Sequence, residues 1–131
     1  MSIEELVKQI IDAIASVTWT PGTYPQSLAG IKAKPAGAWG VTTGTGQTTS
    51  TRRLATVETN VSLSVWSATP EARAAAKAAC MAALTSVGFT ALVPSDAEVT
   101  LEDVSTAYVT NMLFRAWIDT DTGWVYQNQN S

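Results

Sequence analysis

The chain has 131 residues, of which 46% are hydrophobic and 15% charged, and its formal net charge is -3. This length suits one domain, since single domains cluster near about 100 to 150 residues. The sequence contains no histidine, which excludes Ser-His and Cys-His catalytic pairs and most zinc sites. Cys80 is the single cysteine, so an internal disulfide is excluded as well.

The charge balance and the N-terminus indicate the setting of the protein. Eight basic residues stand against eleven acidic ones, which argues against sequence-specific binding of nucleic acid through a broad basic face. Glu4 and Glu5 lie where a secretory signal carries lysine or arginine, and no apolar run is long enough to span a bilayer. We therefore expect a cytoplasmic protein with no membrane partner.

The first half of the chain predicts one helix and a region rich in turns. Apolar residues recur at helical spacing from Ile3 to Val17, which predicts a helix over residues 3–17. Residues 21–53 hold three prolines and six of the eight glycines, so we expect only short strands and loops there. Residues 44–53 contain no apolar side chain, and we expect an exposed polar loop or hairpin tip over residues 42–53.

A long strand and a second helix come next. Apolar and polar residues alternate strictly through residues 54–67, which predicts an antiparallel strand with one buried face. Thr69 suits an N-cap, Pro70 suits the first helical position and Gly88 suits the end. These signals predict a helix over residues 70–86, with a stripe of alanines that allows close packing against a sheet.

The last third of the chain predicts strands over residues 89–93, 97–103, 106–118 and 124–126, followed by a flexible polar tail over residues 127–131. The strand over residues 106–118 has apolar residues on both faces, so it is either central in a covered sheet or meets a partner. Together the elements predict one α+β domain over residues 1–131. We expect a mainly antiparallel sheet of four to five strands with two helices packed on one face.

The sequence predicts no catalytic residue, cofactor or metal. The glycines of Gly44-Thr45-Gly46 lack the lysine of a phosphate-binding loop, and residues 119–123 lack the glutamate of a calcium loop. Cys80 lies in the alanine-rich helix, where a small buried hydrophobic residue is expected. Glu102 and Asp103 point to opposite faces of a strand, and they form a carboxylate cluster only if Asp119 or Asp121 meets them across strands.

Charged and aromatic residues are the candidates for contacts between subunits. Arg52 and Arg53 close the polar loop, and two basic charges beside an acidic body suit carboxylates on a neighbouring protein. The acidic surface expected near the C-terminus supplies the opposite charge, and its candidates are Glu102, Asp103, Asp119 and Asp121. Trp66 falls on the polar face of the strand over residues 54–67, so we expect an exposed tryptophan at an interface.

One local pattern points to a family. An alternating strand passes into a helix between Val61 and Arg73, and about 35 residues later a strand carries the aromatic-arginine pair Phe114-Arg115. With the order of the other elements, this resembles the tail terminator, or tail completion, proteins of long-tailed bacteriophages and prophages. The resemblance covers nearly the whole chain in element order, and residues 57–84 and 106–118 in pattern.

The resemblance implies a structural virion protein of the tail or neck that assembles in the host cytoplasm. Such a protein forms a homo-oligomeric ring, typically of six subunits, caps the tail tube, stops its polymerisation and meets the head connector, while DNA passes through the ring. Another neck or tail component, such as a head-closure or tube protein, is an alternative. A small enzyme or ligand-binding domain is a further one, and it needs a pocket lined by several of Asp96, Glu98, Glu102, Asp119 and Asp121.

Overall fold

Two helices pack on one face of a mainly antiparallel sheet. The computed structural model describes residues 3–19, 31–32, 34–48, 55–102, 104–119 and 125–126. In chain order the elements are α1 (Ile3–Asp12), β1 (Thr18–Trp19), β2 (Ala36–Thr48), β3 (Ala55–Ser67), α2 (Pro70–Ser86), β4 (Thr90–Ala91), β5 (Ser95–Thr100), β6 (Thr106–Asp119) and β7 (Val125–Tyr126). The predicted α+β fold is confirmed.

The sheet is built around the central strand β6. The strand order is β1-β2-β3-β6, and on its other side β6 pairs with β5, β4 and β7 at successive positions along its length. Every pair is antiparallel except β1 with β2. Among the described residues four strands have six residues or more and three have two. The apolar residues on both faces of β6 therefore belong to a central strand, one of the two predicted outcomes.

The main core lies between the helices and one face of the sheet, which we call the inner face. The alternation predicted for β3 is confirmed, because Val61, Leu63 and Val65 are buried on this face. Both helices and the two central strands contribute to the cluster: Val7, Ile11, Val61, Leu63, Val65, Ala76, Cys80, Leu84, Met112, Phe114, Ala116 and Ile118. Both helices pack on the same face, as expected.

Helix α2 begins and ends where the sequence predicts. The Thr69 hydroxyl accepts a hydrogen bond from the backbone N–H of Ala72 at 3.0 Å, and Pro70 occupies the first helical position. At the other end Gly88 has a φ of 108° and donates its N–H to the carbonyl of Thr85. Glycine adopts this left-handed conformation without strain, which closes the helix.

Helix α1 is shorter than the 3–17 prediction and ends at Asp12. The N–H of Ile14 donates to the carbonyl of Ile11, three residues back rather than the four of an α-helix, so the chain tightens where the helix ends. The Trp19 indole N–H donates to the carbonyl of Ile14 at 3.2 Å. Ile14 and Val17 remain buried in the main core. Their helical spacing therefore misled the prediction, because apolar residues after the helix pack into the same core.

Strand β2 corrects the prediction of short strands and loops within residues 21–53. It runs for 13 residues and pairs antiparallel with β3, with a shift in register between Thr43 and Gly46. The loop alternative predicted over residues 42–53 is wrong for residues 42–48, which belong to this strand. The hairpin alternative fits them, because β2 and β3 stay paired up to Thr48 and Ala55. Residues 49–54 lie outside the described residues. Glycines weaken the sequence signal for a strand, and here pairing along β3 supplies the hydrogen bonds that hold it.

Among the strands after α2, β5 differs most from its predicted bounds. The sequence predicted a strand over residues 97–103, and the structure has it at Ser95–Thr100. Its end is set by a tight connection to β6, in which the N–H of Leu101 donates to the carbonyl of Ser105 at 2.8 Å and Val104 has a φ of 66°. The 106–118 prediction is confirmed, with Asp119 added. Of residues 89–93 only Thr90 and Ala91 form a strand. Val125 and Tyr126 form β7, while Trp124 and the tail over residues 127–131 lie outside the described part.

Candidate interaction surface

The acidic candidates do not form one surface. Glu102 is exposed in the connection that precedes β6, whereas Asp119 is the last residue of β6. The 14 residues of β6 separate them, and a strand of this length spans about 40 Å. The expected single acidic surface near the C-terminus is wrong for these two residues, because the strand that joins them is fully extended. A shared carboxylate cluster of Glu102 with Asp119 is wrong for the same reason.

Four of the candidates, Arg52, Arg53, Asp103 and Asp121, lie outside the described residues. The strand ends that flank the two arginines are still informative. Thr48 pairs with Ala55, and Thr56 pairs with Asp119. The ends of the β2–β3 hairpin therefore lie at the Asp119 end of the sheet and far from Glu102.

Trp66 corrects the expectation of an exposed tryptophan. It does lie on the outer face of the sheet, opposite the helices, as the parity of β3 predicted. Only 6% of its surface is exposed, however, because it packs in a second core cluster with Ile31, Leu101 and Val109. Ile31 and Leu101 come from segments distant in sequence, so alternation along β3 could not reveal this cover.

The centre of the outer face is polar and partly exposed. Ser64 donates a hydrogen bond to the amide oxygen of Asn111 at 2.7 Å. Arg115 donates from Nε to Asn60 at 3.2 Å and lies 3.8 Å from the Glu58 carboxylate. These contacts cross the β3–β6 pair and hold its polar side chains in place.

One apolar position interrupts this polar centre. Leu113 is 38% exposed on β6, next to Leu92, which is also 38% exposed and donates its N–H to the Leu113 carbonyl. The sequence predicted apolar residues on both faces of the strand over residues 106–118, and Leu113 is one of those on the outer face. Leu92 was missed, because only the pairing after β4 brings it beside Leu113.

Charged contacts fasten the edge strand β5 to α2. The Lys77 ammonium lies 2.9 Å from the Asp96 carboxylate, and Arg73 Nε lies 4.0 Å from the same oxygen. Arg73 also donates to the carbonyl of Ala97 at 3.3 Å and lies over the Tyr108 ring, 5.5 Å from its centre. The hydrogen bond from Lys77 is the largest cause that lowers the pKa of the Asp96 carboxyl. Sequence analysis missed this group because its members come from three elements.

These residues offer charged side chains and backbone groups that can bind a partner. Burial raises the pKa of the Cys80 thiol to about 11, so the thiol is protonated and shielded at neutral pH. Asp96 is held as a carboxylate, which is the opposite of what a general acid needs. Within the described ranges no three His, Cys, Asp or Glu side chains are grouped to hold a metal ion.

Comparisons with known proteins assign this chain to no family. A scan against protein-family models finds no match, and a search of curated proteins finds no significantly similar sequence. Neither α1 nor α2, the helices of the described residues, is long and apolar enough to cross a bilayer.

Proposed function

We propose that this chain is a structural virion protein of the tail terminator kind, which forms a ring that caps a phage tail tube and joins it to the head connector. The ring stops polymerisation of the tube and leaves a channel for DNA. Tube and connector proteins are its partners, and the tail or neck of the virion is its location.

The observation that carries the proposal is the element order around the central strand pair. Strand β3 passes directly into α2 through the Thr69 cap, and β6 then returns beside β3 with Phe114 opposite Val61. Phe114 is buried beneath the helices while the neighbouring Arg115 reaches Asn60 on the outer face. The aromatic-arginine pair thus anchors one face of β6 and places a cation on the other, which supports the resemblance on which the proposal rests.

The carboxylate-site alternative has weaker support. It needs acidic residues that converge on one pocket with raised pKa values. Glu102 and Asp119 lie at opposite ends of β6, and the pKa of Asp96 is lowered. The other alternative is a different neck or tail component, such as a tube protein. A tube protein stacks into open filaments while a terminator closes as a single ring, so a measurement of the assembled species distinguishes the two.

Solution mass tests the proposal directly. Light scattering on a sizing column across a concentration series should show a closed species of six subunits, which at 13.8 kDa each is about 83 kDa. Negative-stain images of that fraction should show single rings with a central opening. A monomer at every concentration contradicts the proposal, and filaments that lengthen with concentration favour the tube-protein alternative.

The two arginines after β2 are expected to contribute to assembly. Replacing Arg52→Glu together with Arg53→Glu should raise the concentration needed for ring formation and flatten its dependence on salt, because a contact between opposite charges is lost. Lys8→Glu is the control, since Lys8 pairs with Asp12 on the exposed side of α1. Unchanged assembly and salt dependence in the double variant would remove these arginines from the interface.

A further inference from the structure

One segment at the edge of the sheet contributes no side chain to either core cluster. Phe89 is 1% exposed in the main core, and Leu101 is 9% exposed in the second cluster. None of residues 90–100 between them is buried, and Val93 is 93% exposed. We call residues 93–100, which contain β5, the strap. Because burial of apolar side chains is the main favourable term in folding, the strap lacks the stabilisation that burial gives to the strands beside it.

Backbone hydrogen bonds join the strap to β6. The carbonyl of Leu113 accepts from Leu92, and the carbonyl of Ser105 accepts from Leu101. The odd-numbered residues of β6 therefore direct their N–H and C=O groups toward β5, since alternate residues of an antiparallel strand bond to the same side. Their partners in the register of β5 are Ser95, Ala97 and Val99. The amides of these three residues, which we call the strap amides, are the ones that pairing with β6 protects.

Charged side chains hold the strap to α2. The Lys77 ammonium lies 2.9 Å from the Asp96 carboxylate, and Arg73 Nε lies 4.0 Å from the same oxygen. Arg73 also donates to the carbonyl of Ala97 at 3.3 Å. All three charged side chains are partly exposed, so water and salt screen their attraction. The attachment of the strap to the helix is therefore weak and sensitive to salt.

Both ends of the strap are fixed by contacts outside it. On its N-terminal side, Leu92 bonds to β6 at 2.9 Å, three residues after the buried Phe89. On its C-terminal side, the N–H of Leu101 donates its hydrogen bond at 2.8 Å, and the side chain lies in the second cluster. Separation of the strap from β6 removes no side chain from either cluster.

We infer that the strap is a conformational device: residues 93–100 separate from β6 and α2 in a local opening while both core clusters stay folded. The contacts of Asp96 with Lys77 and Arg73 set how often the opening occurs. The open form uncovers the edge of the central strand β6 at Ala107, Val109 and Asn111. The inference concerns a single copy of the chain and stands whether or not the proposed ring forms.

Native-state hydrogen exchange tests the opening, under conditions in which closing is faster than exchange. The strap amides should exchange at least about a hundredfold faster than the amides of Val61 and Leu63, which lie in the main core. Ile11→Val weakens that core, so it should speed exchange at Val61 and Leu63 by about fivefold. It should leave the strap amides unchanged, because the core is intact in both the closed and the open form. Strap amides that speed up together with Val61 and Leu63 open only by global unfolding and overturn the inference.

A charge variant tests what controls the opening. Asp96→Asn should speed exchange of the strap amides by about threefold, since the attraction to Lys77 is lost. Raising the salt concentration to about 0.5 M should speed the wild type similarly and leave the variant unchanged. Asp12→Asn is the matched control, because it removes an exposed ion pair of 2.6 Å with Lys8 on α1, a helix that is folded in both forms. Strap amides that respond equally to the two variants, or to neither, overturn the role of the charged group.

Discussion

At the scale of single residues, Gly37 shows how closely β1 approaches β2. An added Cβ at this position would lie 2.5 Å from Cζ3 of Trp19 and 2.8 Å from Cγ1 of Val17. Trp19 is held there by its indole hydrogen bond to the carbonyl of Ile14. The absence of a side chain therefore lets the segment after α1 enter the sheet beside β2.

We predict that Gly37→Ala lowers the free energy of unfolding by about 1 to 3 kcal/mol, because the new methyl group forces the Trp19 ring out of its site. Urea unfolding followed by tryptophan fluorescence measures the change. Gly40→Ala on the same strand is the control, since its Cβ would meet only the exposed Ser62 hydroxyl at 3.3 Å. Equal losses in the two variants would contradict the close approach of Trp19.

Val104 is strained, because β-branched residues rarely adopt a positive φ and this one has 66°. Its side chain is 81% exposed, so almost no packing offsets the strain. We predict that Val104→Asn raises the free energy of unfolding by about 1 kcal/mol, since asparagine tolerates this conformation. Val93→Asn, at a position 93% exposed and without positive φ, should leave stability unchanged. Calorimetry of both variants decides the matter.

At the scale of elements, α2 and β5 are joined mainly by the charged group around Asp96. The strand lies at the edge of the sheet with all six residues exposed, so apolar burial contributes little to its position. Lys77 and Arg73 approach Asp96 from the helix, and Arg73 also reaches the Ala97 carbonyl.

The lowered pKa of Asp96 predicts a dependence of stability on pH. A carboxyl whose folded pKa lies below its ordinary value of 3.8 stabilises the fold above that value, and the contribution is lost as pH falls through the folded pKa. We expect Asp96→Asn to be less stable than the wild type at neutral pH, and the difference to shrink below about pH 3.8. Urea unfolding at stepped pH values measures it. A difference that stays constant with pH would show that the ion pair with Lys77 contributes nothing.

At the scale of the whole molecule, the sheet has a core on each face. The helices cover the inner face along β3 and β6, and the second cluster around Trp66 and Val109 covers one end of the outer face. The polar centre of the outer face remains between that cluster and the Asp119 end. The two sides of the sheet are therefore unlike among the described residues.

Cys80 reports the opening of the main core. It is fully buried, and its raised pKa keeps the thiol protonated, so a thiol reagent should react at pH 8 at least about a hundredfold more slowly than with protein unfolded in urea. The protonated Cys80 thiol stabilises the folded state fully below pH 9.0, the ordinary pKa of the thiol. This contribution is lost as pH rises through about 11, because the thiol of the unfolded chain ionises at lower pH than the buried one. Rapid labelling of the folded protein would contradict the packing of α2 on the sheet.

Local chemistry in the sequence determined α2 and the faces of β3. The Thr69 cap, Pro70 and Gly88 act within a few residues of the helix ends, so both bounds of Pro70–Ser86 could be predicted. Alternation decides which side chains of a strand share a face, because successive residues point to opposite sides. The acidic composition and the lack of histidine likewise follow from the sequence alone.

Tertiary structure decided what depends on residues distant in the chain. The cover on Trp66 comes from Ile31 and Leu101, the length of β2 comes from pairing with β3, and the separation of Glu102 from Asp119 comes from the extended length of β6. Burial and edge position are properties of the assembled sheet, and a local pattern carries only the propensity of each segment. Which of the described strands lie at the centre of the sheet was therefore decided by the order of the strands rather than by the residues within them.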